Sequence, residues 1–388
     1  MQPDGHNKSL TIGVPVHNEE EALPTFFENL VHAIQELPRN VDVEVIFCVN
    51  GCTDNSEALL REQTRNSSRI ADMKIIESEP GKMNAQVAIV NAREFDGPMC
   101  FADADIAMTR PTLKALYDTI DSDPDCQVAY SRVEPFYDKD ANGSETAFND
   151  LLFTHYKYRE HQPQRSYFHG RTFMMRDDSY LRDIDQGLDE RIERVREEEN
   201  PWYMDNLGIE KGPMIDDIYL SRAIVFDHGA EAITEVPGAT VYFNPPTSIE
   251  DYSRVLERTA SEIKRLDLLY PEHAALQDSV FKREFNDANL YMPQGERLKY
   301  RMLQDLERTL KRHIDAAITP PEQKEGALFG VSHWLRAGTT KGKILGRDQL
   351  AQFHKPYSSP GSGSSPKPPT HEDLGHQGND LDDGPVVH

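Results

Sequence analysis

Asp103 and Asp105 stand one residue apart, directly after the apolar run Met99–Ala102. Two carboxylates at that spacing repel unless a cation or a polyhydroxyl ligand sits between them. A divalent metal carrying a diphosphate satisfies such a pair, because hard cations such as Mg2+ take one or two carboxylates together with phosphate oxygens. The competing reading is a solvated acidic turn. With 66 acidic against 42 basic residues, such triplets also arise by chance, so the neighbours must decide.

With two such neighbours the triplet makes three polar loops, each following an apolar run. Leu10–Val16 leads into Pro15-Val16-His17-Asn18-Glu19, Val43–Val49 into Asn50-Gly51-Cys52-Thr53-Asp54, and Met99–Ala102 into Asp103-Ala104-Asp105. Between them Glu20–Leu37, Ser56–Thr64 and Lys82–Arg93 carry helical spacing, and Lys74–Ile76 is a weak strand. Strands alternating with helices predict an α/β fold, a mostly parallel sheet with helices on both faces. Ligands bind such sheets at the carboxyl ends of the strands, which is where the three loops converge.

The second half is less regular. Thr112–Ile120 and Ala147–Tyr158 have helical character, Gln127–Val133 strand character, and Asp138–Glu145 that of a polar turn. Asp185–Asn200 is charged enough to be a solvated helix or a loop. Asp251–Leu269 is amphipathic, and Leu298–Ile318 is a further helix before Pro320-Pro321. The expected organisation is a flexible 1–9, a catalytic domain over 10–245, a helical extension over 246–321, a basic amphipathic segment over 322–355 and a disordered tail over 356–388. That tail is too poor in apolar residues to offset its ordering entropy.

A formal charge of −24 over 388 residues excludes a general nucleic-acid binder, which needs a cationic face to release counterions. No run approaches the roughly 18 apolar residues of a spanning helix, and Met1–Ser9 lacks the apolar centre of a signal peptide. Cys48, Cys52, Cys100 and Cys126 show no zinc-ribbon spacing and suit reduced thiols of a cytoplasmic protein. Between Glu325 and Asp348 there is no acid, while Arg336, Lys341, Lys343 and Arg347 accompany Trp334 and several aliphatics. Such a segment either lies on an anionic membrane surface or packs on the acidic domain.

The N-terminal part resembles family 2 glycosyltransferases of the GT-A fold over roughly residues 10 to 245. The resemblance rests on Thr11–Glu20, Gly51–Ser56, Gly81-Lys82-Met83-Asn84-Ala85, Asp103-Ala104-Asp105 and Asp216-Asp217-Ile218-Tyr219-Leu220-Ser221-Arg222, in the family's order. It implies a metal-dependent, inverting transfer of one sugar from a nucleotide-sugar, a UDP-sugar first, to an acceptor hydroxyl on a saccharide, a lipid-linked carrier or a small molecule. Pro15, His17, Glu19, Asn50 and Asp54 would line the nucleoside pocket, although Val49 and Asn50 replace the family's paired acids. Lys82 would meet the diphosphate at a helix start, and Asp103 the ribose or metal. Asp105 would hold Mg2+ or Mn2+.

Asp217 would be the general base, with Asp216 beside it. Adjacent carboxylates near a diphosphate raise each other's proton affinity, while acids in that place could also cap a helix. His169, Gly170 and Arg171 would face the acceptor. Arg254 and Arg258 lie where processive relatives carry Gln-x-x-Arg-Trp. Here Val255-Leu256-Glu257-Arg258-Thr259 lacks the Gln and the Trp, which favours single transfer. Two other readings remain at this level: nucleotidyltransfer on a related fold, and a non-catalytic sugar-nucleotide-binding module.

Overall fold

The computed structural model describes residues 8–63, 70, 72–136, 143–157, 167–276 and 292–321. The basic amphipathic segment 322–355 and the tail 356–388 lie outside the described residues. The strands are β1 (Lys8–Val16), β2 (Val41–Asn50), β3 (Asp72–Ser78), β4 (Met99–Ala102), β5 (Ile106–Met108), β6 (Val128–Pro135), β7 (Thr172–Met175) and β8 (Ile233–Phe243). The first helices are α1 (Leu23–Gln35), α2 (Ser56–Gln63), α3 (Lys82–Ala92), α4 (Thr112–Ser122), α5 (Gly143–Lys157) and α6 (Ser179–Arg182). After them come α7 (Leu188–Glu198), α8 (Pro201–Leu207), α9 (Asp216–His228), α10 (Ile249–Leu269), α11 (Pro271–Leu276) and α12 (Gln294–Ala317).

The strands form one eight-stranded sheet in the order β3-β2-β1-β4-β7-β6-β8-β5. β1 to β4 run parallel, and β6 pairs parallel with β8, whereas β7 and β5 run antiparallel to their neighbours. The expected mostly parallel mixed sheet is thus present. Alternate residues of β2 supply two cores: Val43, Val45 and Phe47 face one, Ile46 and Cys48 the other. Strands buried on both faces need few polar positions, and the two fully buried ones in β1 and β2 satisfy each other, Thr11 Oγ1 donating to Glu44 Oε2 at 2.9 Å. Leu23, Phe26, Leu30 and Ile34 of α1 close the first core, and Met83, Ile89 and Val90 of α3 the second. At Gly13 a Cβ would lie 2.7 Å from Ile89 Cγ2, so the missing side chain lets α3 settle onto β1 and fixes Lys82 at its start.

The antiparallel β7 matters most for the site. Ala102 pairs with Thr172, so the residues before β7 sit beside the residues after β4. The sheet therefore brings His169-Gly170-Arg171 against Asp103-Ala104-Asp105. β8, which the sequence pattern did not reveal, is broken where register jumps from Ser131↔Val236 to Arg132↔Thr240; Pro237-Gly238 interrupt its apolar run. The three-residue β5 is too short for periodicity to register. Asp185–Asn200 contains the helix α7, which buries Ile192 and Val195. α1 begins at Leu23, later than the spacing predicts, because Glu19 O accepts the N–H of Leu23 in a preceding turn and Pro24 suits the first helical turn.

Candidate active site

The β1 and β2 loops are tied to each other before any ligand is considered. Asp54 caps α2 through Ser56 N (3.0 Å) and accepts Glu20 N at 3.1 Å. Burial opposes ionisation of Asp54, but the Ser56 hydrogen bonds outweigh it and hold the carboxyl below its ordinary value. Glu19 N donates to Ser56 Oγ at 2.7 Å. Between His17 and Glu19 the chain turns at Asn18, with φ 55°, and Asn18 Oδ1 accepts Thr53 N at 2.7 Å. Asn is among the few side chains that enter this left-handed region readily.

Asn50 links these loops to α3. Its amide accepts from Gly81 N at 2.8 Å and donates to Gly81 O at 2.6 Å, while its own carbonyl accepts His17 Nδ1–H at 2.6 Å. Pro15 is half-buried in β1, opposite Cys48. Asn50 and Asp54 thus hold backbone, and the edge they border consists largely of fixed main-chain groups. Three of the four thiols are buried and Cys52 is half-buried; all are free.

Lys82 stands at the centre of the polar edge. Its ammonium lies 2.7 Å from Asp103 Oδ1, 3.3 Å from Asp216 Oδ2 and 2.7 Å from Gly170 O. Burial alone would lower its proton affinity; the charges of Asp103 and Asp216 outweigh that and push it up. The same burial, reinforced by Asp105 and Asp216 and opposed by Lys82, pushes the Asp103 carboxyl up to about 6. Asp105 faces Arg171, with Nη1 at 3.9 Å from Oδ1, and the Arg171 guanidinium rests on the Phe243 ring 4.0 Å from its centroid.

Asp216 and Asp217 open α9, where the helix dipole favours acids. Asp217 Oδ2 accepts Gly170 N–H at 2.9 Å, and its Oδ1 is buried with no hydrogen-bond partner among the described residues. Burial, then the neighbouring Asp216 charge, pushes Asp217 up to about 7 against the pull of Lys82 and the N–H groups of Gly170 and Ile218. That value suits a general base working near neutrality. Gly170 is needed for the approach: a Cβ there would lie 2.7 Å from Asp216 Oδ2. His169 donates from Nε2 to Ser131 O at 2.6 Å and accepts Arg171 N–H on Nδ1 at 3.2 Å, so both ring nitrogens shape the loop.

Sequence reading missed Gln86. It lies one turn after Lys82, is fully buried, and donates from Nε2 to Asp216 Oδ2 at 2.7 Å. The available signal was an amide on a helix face otherwise made of Met83, Ile89 and Val90. Among the described residues no cluster of three or more His, Cys, Asp or Glu is placed to hold a metal by protein ligands alone. A cation bound through a diphosphate needs only one or two carboxylates, and the partly exposed Asp105, loosely faced by Arg171, fits that lesser demand.

The mostly parallel sheet thus carries paired acids and a lysine at its polar edge. Residues 11–182 match the family model Glycosyl transferase family 2. The match ends before Asp216-Asp217. No curated protein matches the chain. Among solved structures, glucosyl-3-phosphoglycerate synthase from Mycobacterium tuberculosis with Mn2+, UDP-glucose and phosphoglyceric acid is 14% identical, covering 66% of this chain and 79% of its own at a TM-score of 0.40. Residues 1–349 of TarS from S. aureus are 16% identical, covering 79% and 82%, TM-score 0.39. The mannosyltransferase PcManGT from Pyrobaculum calidifontis with GDP-Man and Mn2+ is 16% identical, covering 84% and 90%, TM-score 0.44. Likeness at these levels fixes neither donor nor acceptor.

Proposed function

We propose that this glycosyltransferase moves one sugar from a nucleotide-sugar donor, a UDP-sugar in the first instance, to an acceptor hydroxyl with inversion. The observation that supports it most is the setting of Asp217: one carboxylate oxygen held by the Gly170 N–H, the other buried without a partner among the described residues. In this mechanism Asp217 takes the hydroxyl proton as the acceptor oxygen attacks the anomeric carbon. The bond from that carbon to the diphosphate breaks on the opposite face, and its electron pair leaves with the nucleoside diphosphate. Asp216, fixed by Gln86 and Lys82, keeps negative charge beside the base and so sustains its proton affinity.

Lys82 and Arg171 supply positive charge on the donor side, and His169, Gly170 and Arg171 border the acceptor side. Asp105, with Asp103 beside it, would hold Mg2+ or Mn2+ through the donor diphosphate; when bound, that cation neutralises charge on the leaving group. Pro15, His17, Glu19, Asn50 and Asp54 would frame the nucleoside. Binding of UDP-, GDP- and dTDP-sugars with and without Mn2+ tests the donor half: one donor should bind only with metal, and Asp105→Ala should abolish that dependence. Equal binding without metal would overturn it.

A further inference from the structure

Asp216 and Asp217 open α9, yet that helix lacks a side-chain cap of its own. The residue before it is Ile215, and no side-chain cap hydrogen bond is made there. The approach from Leu207 bends through Gly208 (φ 61°) and Gly212 (φ 65°), so its local chemistry does little to fix where α9 starts. What holds it comes from α10. Glu262 Oε1 accepts Met214 N–H at 2.8 Å and Ile215 N–H at 3.2 Å. Its other oxygen pairs with Arg265, whose Nε donates to Leu207 O at 2.8 Å. One ion pair therefore clips both ends of the segment that delivers the acids.

Glu262 is 1% and Arg265 2% exposed, and the neighbouring Leu266 and Leu269 are buried apolar residues. A buried ion pair is often no more stabilising than apolar residues of the same volume. Its presence on this face is better explained by geometry: an apolar pair could fill the space but could not accept two backbone N–H groups just ahead of Asp216. Arg222 of α9, 2.8 Å from Asp267 of α10, ties the same two helices further along.

We infer that Glu262, oriented by Arg265, is a positioning residue that sets the start of α9 so that Asp217 meets the Gly170 N–H. The inference rests on Asp217 being the general base. Reacting groups displaced by about 1 Å lose on the order of a hundredfold in rate, so the clip should affect turnover more than binding.

The test compares two double variants that differ in one group. Glu262→Gln/Arg265→Met keeps a carbonyl acceptor for Met214 and Ile215; Glu262→Met/Arg265→Met removes it. Both leave no unpaired buried charge. With whichever of UDP-glucose, GDP-mannose and dTDP-glucose the wild type hydrolyses in Mn2+, the Met/Met chain should show kcat about tenfold or more below the Gln/Met chain, with KM within about twofold. Equal kcat in the two would overturn the proposal. If the Met/Met chain does not fold, Glu262→Asp, which retracts the carboxylate and keeps the pair's charge, should give the same kcat-only loss; wild-type kcat would overturn it. Asp217→Asn, assayed alongside, separates the two readings: wild-type turnover there refutes the base assignment itself, whatever Glu262 does.

Discussion

Gly170 donates its backbone N–H to Asp217 Oδ2 at 2.9 Å, joining two residues that are 47 apart in sequence. The contact exists because β7 runs antiparallel beside β4 and α9 ends its approach against the turn before β7. The second oxygen of Asp217 is buried with no hydrogen-bond partner among the described residues.

Gly170→Ala should break this arrangement from the neighbouring side. The new methyl would lie 2.7 and 2.8 Å from the two carboxylate oxygens of Asp216. Overpacking of this kind costs about 1–3 kcal/mol, and the displaced acids should lower transfer by about tenfold to a hundredfold. Thermal melts and steady-state turnover check the two parts.

The proposed base works only when deprotonated, and burial beside Asp216 pushes Asp217 of the free protein up to about 7, so kcat/KM should rise with pH through a limb near 7. Lys82→Met removes a charge that favours ionisation of Asp217, so the limb should move to higher pH. A pH–kcat/KM profile of each form, which reports the free protein, measures the shift. A limb that stays in place in the variant would separate Lys82 from the base.

The same raised affinity predicts a stability effect of definite sign. The unfolded chain releases the Asp217 proton near pH 4, the folded chain only near 7, so the folded state holds more protons in that window. Stability from this group is complete below about pH 4 and falls as pH rises towards 7. Asp217→Asn should therefore raise Tm more at pH 8 than at pH 4, and melts at the two values compare the gains.

Much of the candidate site's placement was legible in sequence, because each loop follows a largely apolar run. The runs ending at Val16, Val49 and Ala102 mark the ends of parallel strands, and parallel order alone brings their loops together. Lys82 was legible as the first residue of a helix after Gly81. What could not be read were side chains that meet across the fold. Gln86 reaches Asp216 over 130 residues, and periodicity sees it only as an amide in an apolar face. Glu262 and Arg265 have the spacing of an ordinary surface pair on a helix, and only packing against Leu207 and Met214 buries them. β8 was hidden by Pro237-Gly238.

Asn50→Ala should loosen the proposed nucleoside wall rather than the proposed base. It removes both hydrogen bonds to Gly81, at a cost of about 0.5–1.5 kcal/mol for each. Donor Kd should rise at least about threefold, while the pH of the kcat/KM limb stays unchanged. Calorimetric titration with UDP-, GDP- and dTDP-sugars in Mn2+ reads the affinity, and a shifted limb would show that Asn50 acts on Asp217 after all.

The central claim is that Asp217 activates the acceptor in a transfer that releases a nucleoside diphosphate. Product analysis of wild type and Asp217→Asn with UDP-, GDP- and dTDP-sugars in Mn2+ tests it directly. The account predicts nucleoside diphosphate from one donor, and a loss of about a hundredfold or more in kcat for Asp217→Asn with donor affinity kept. Pyrophosphate as the product, or full turnover by Asp217→Asn, would contradict it.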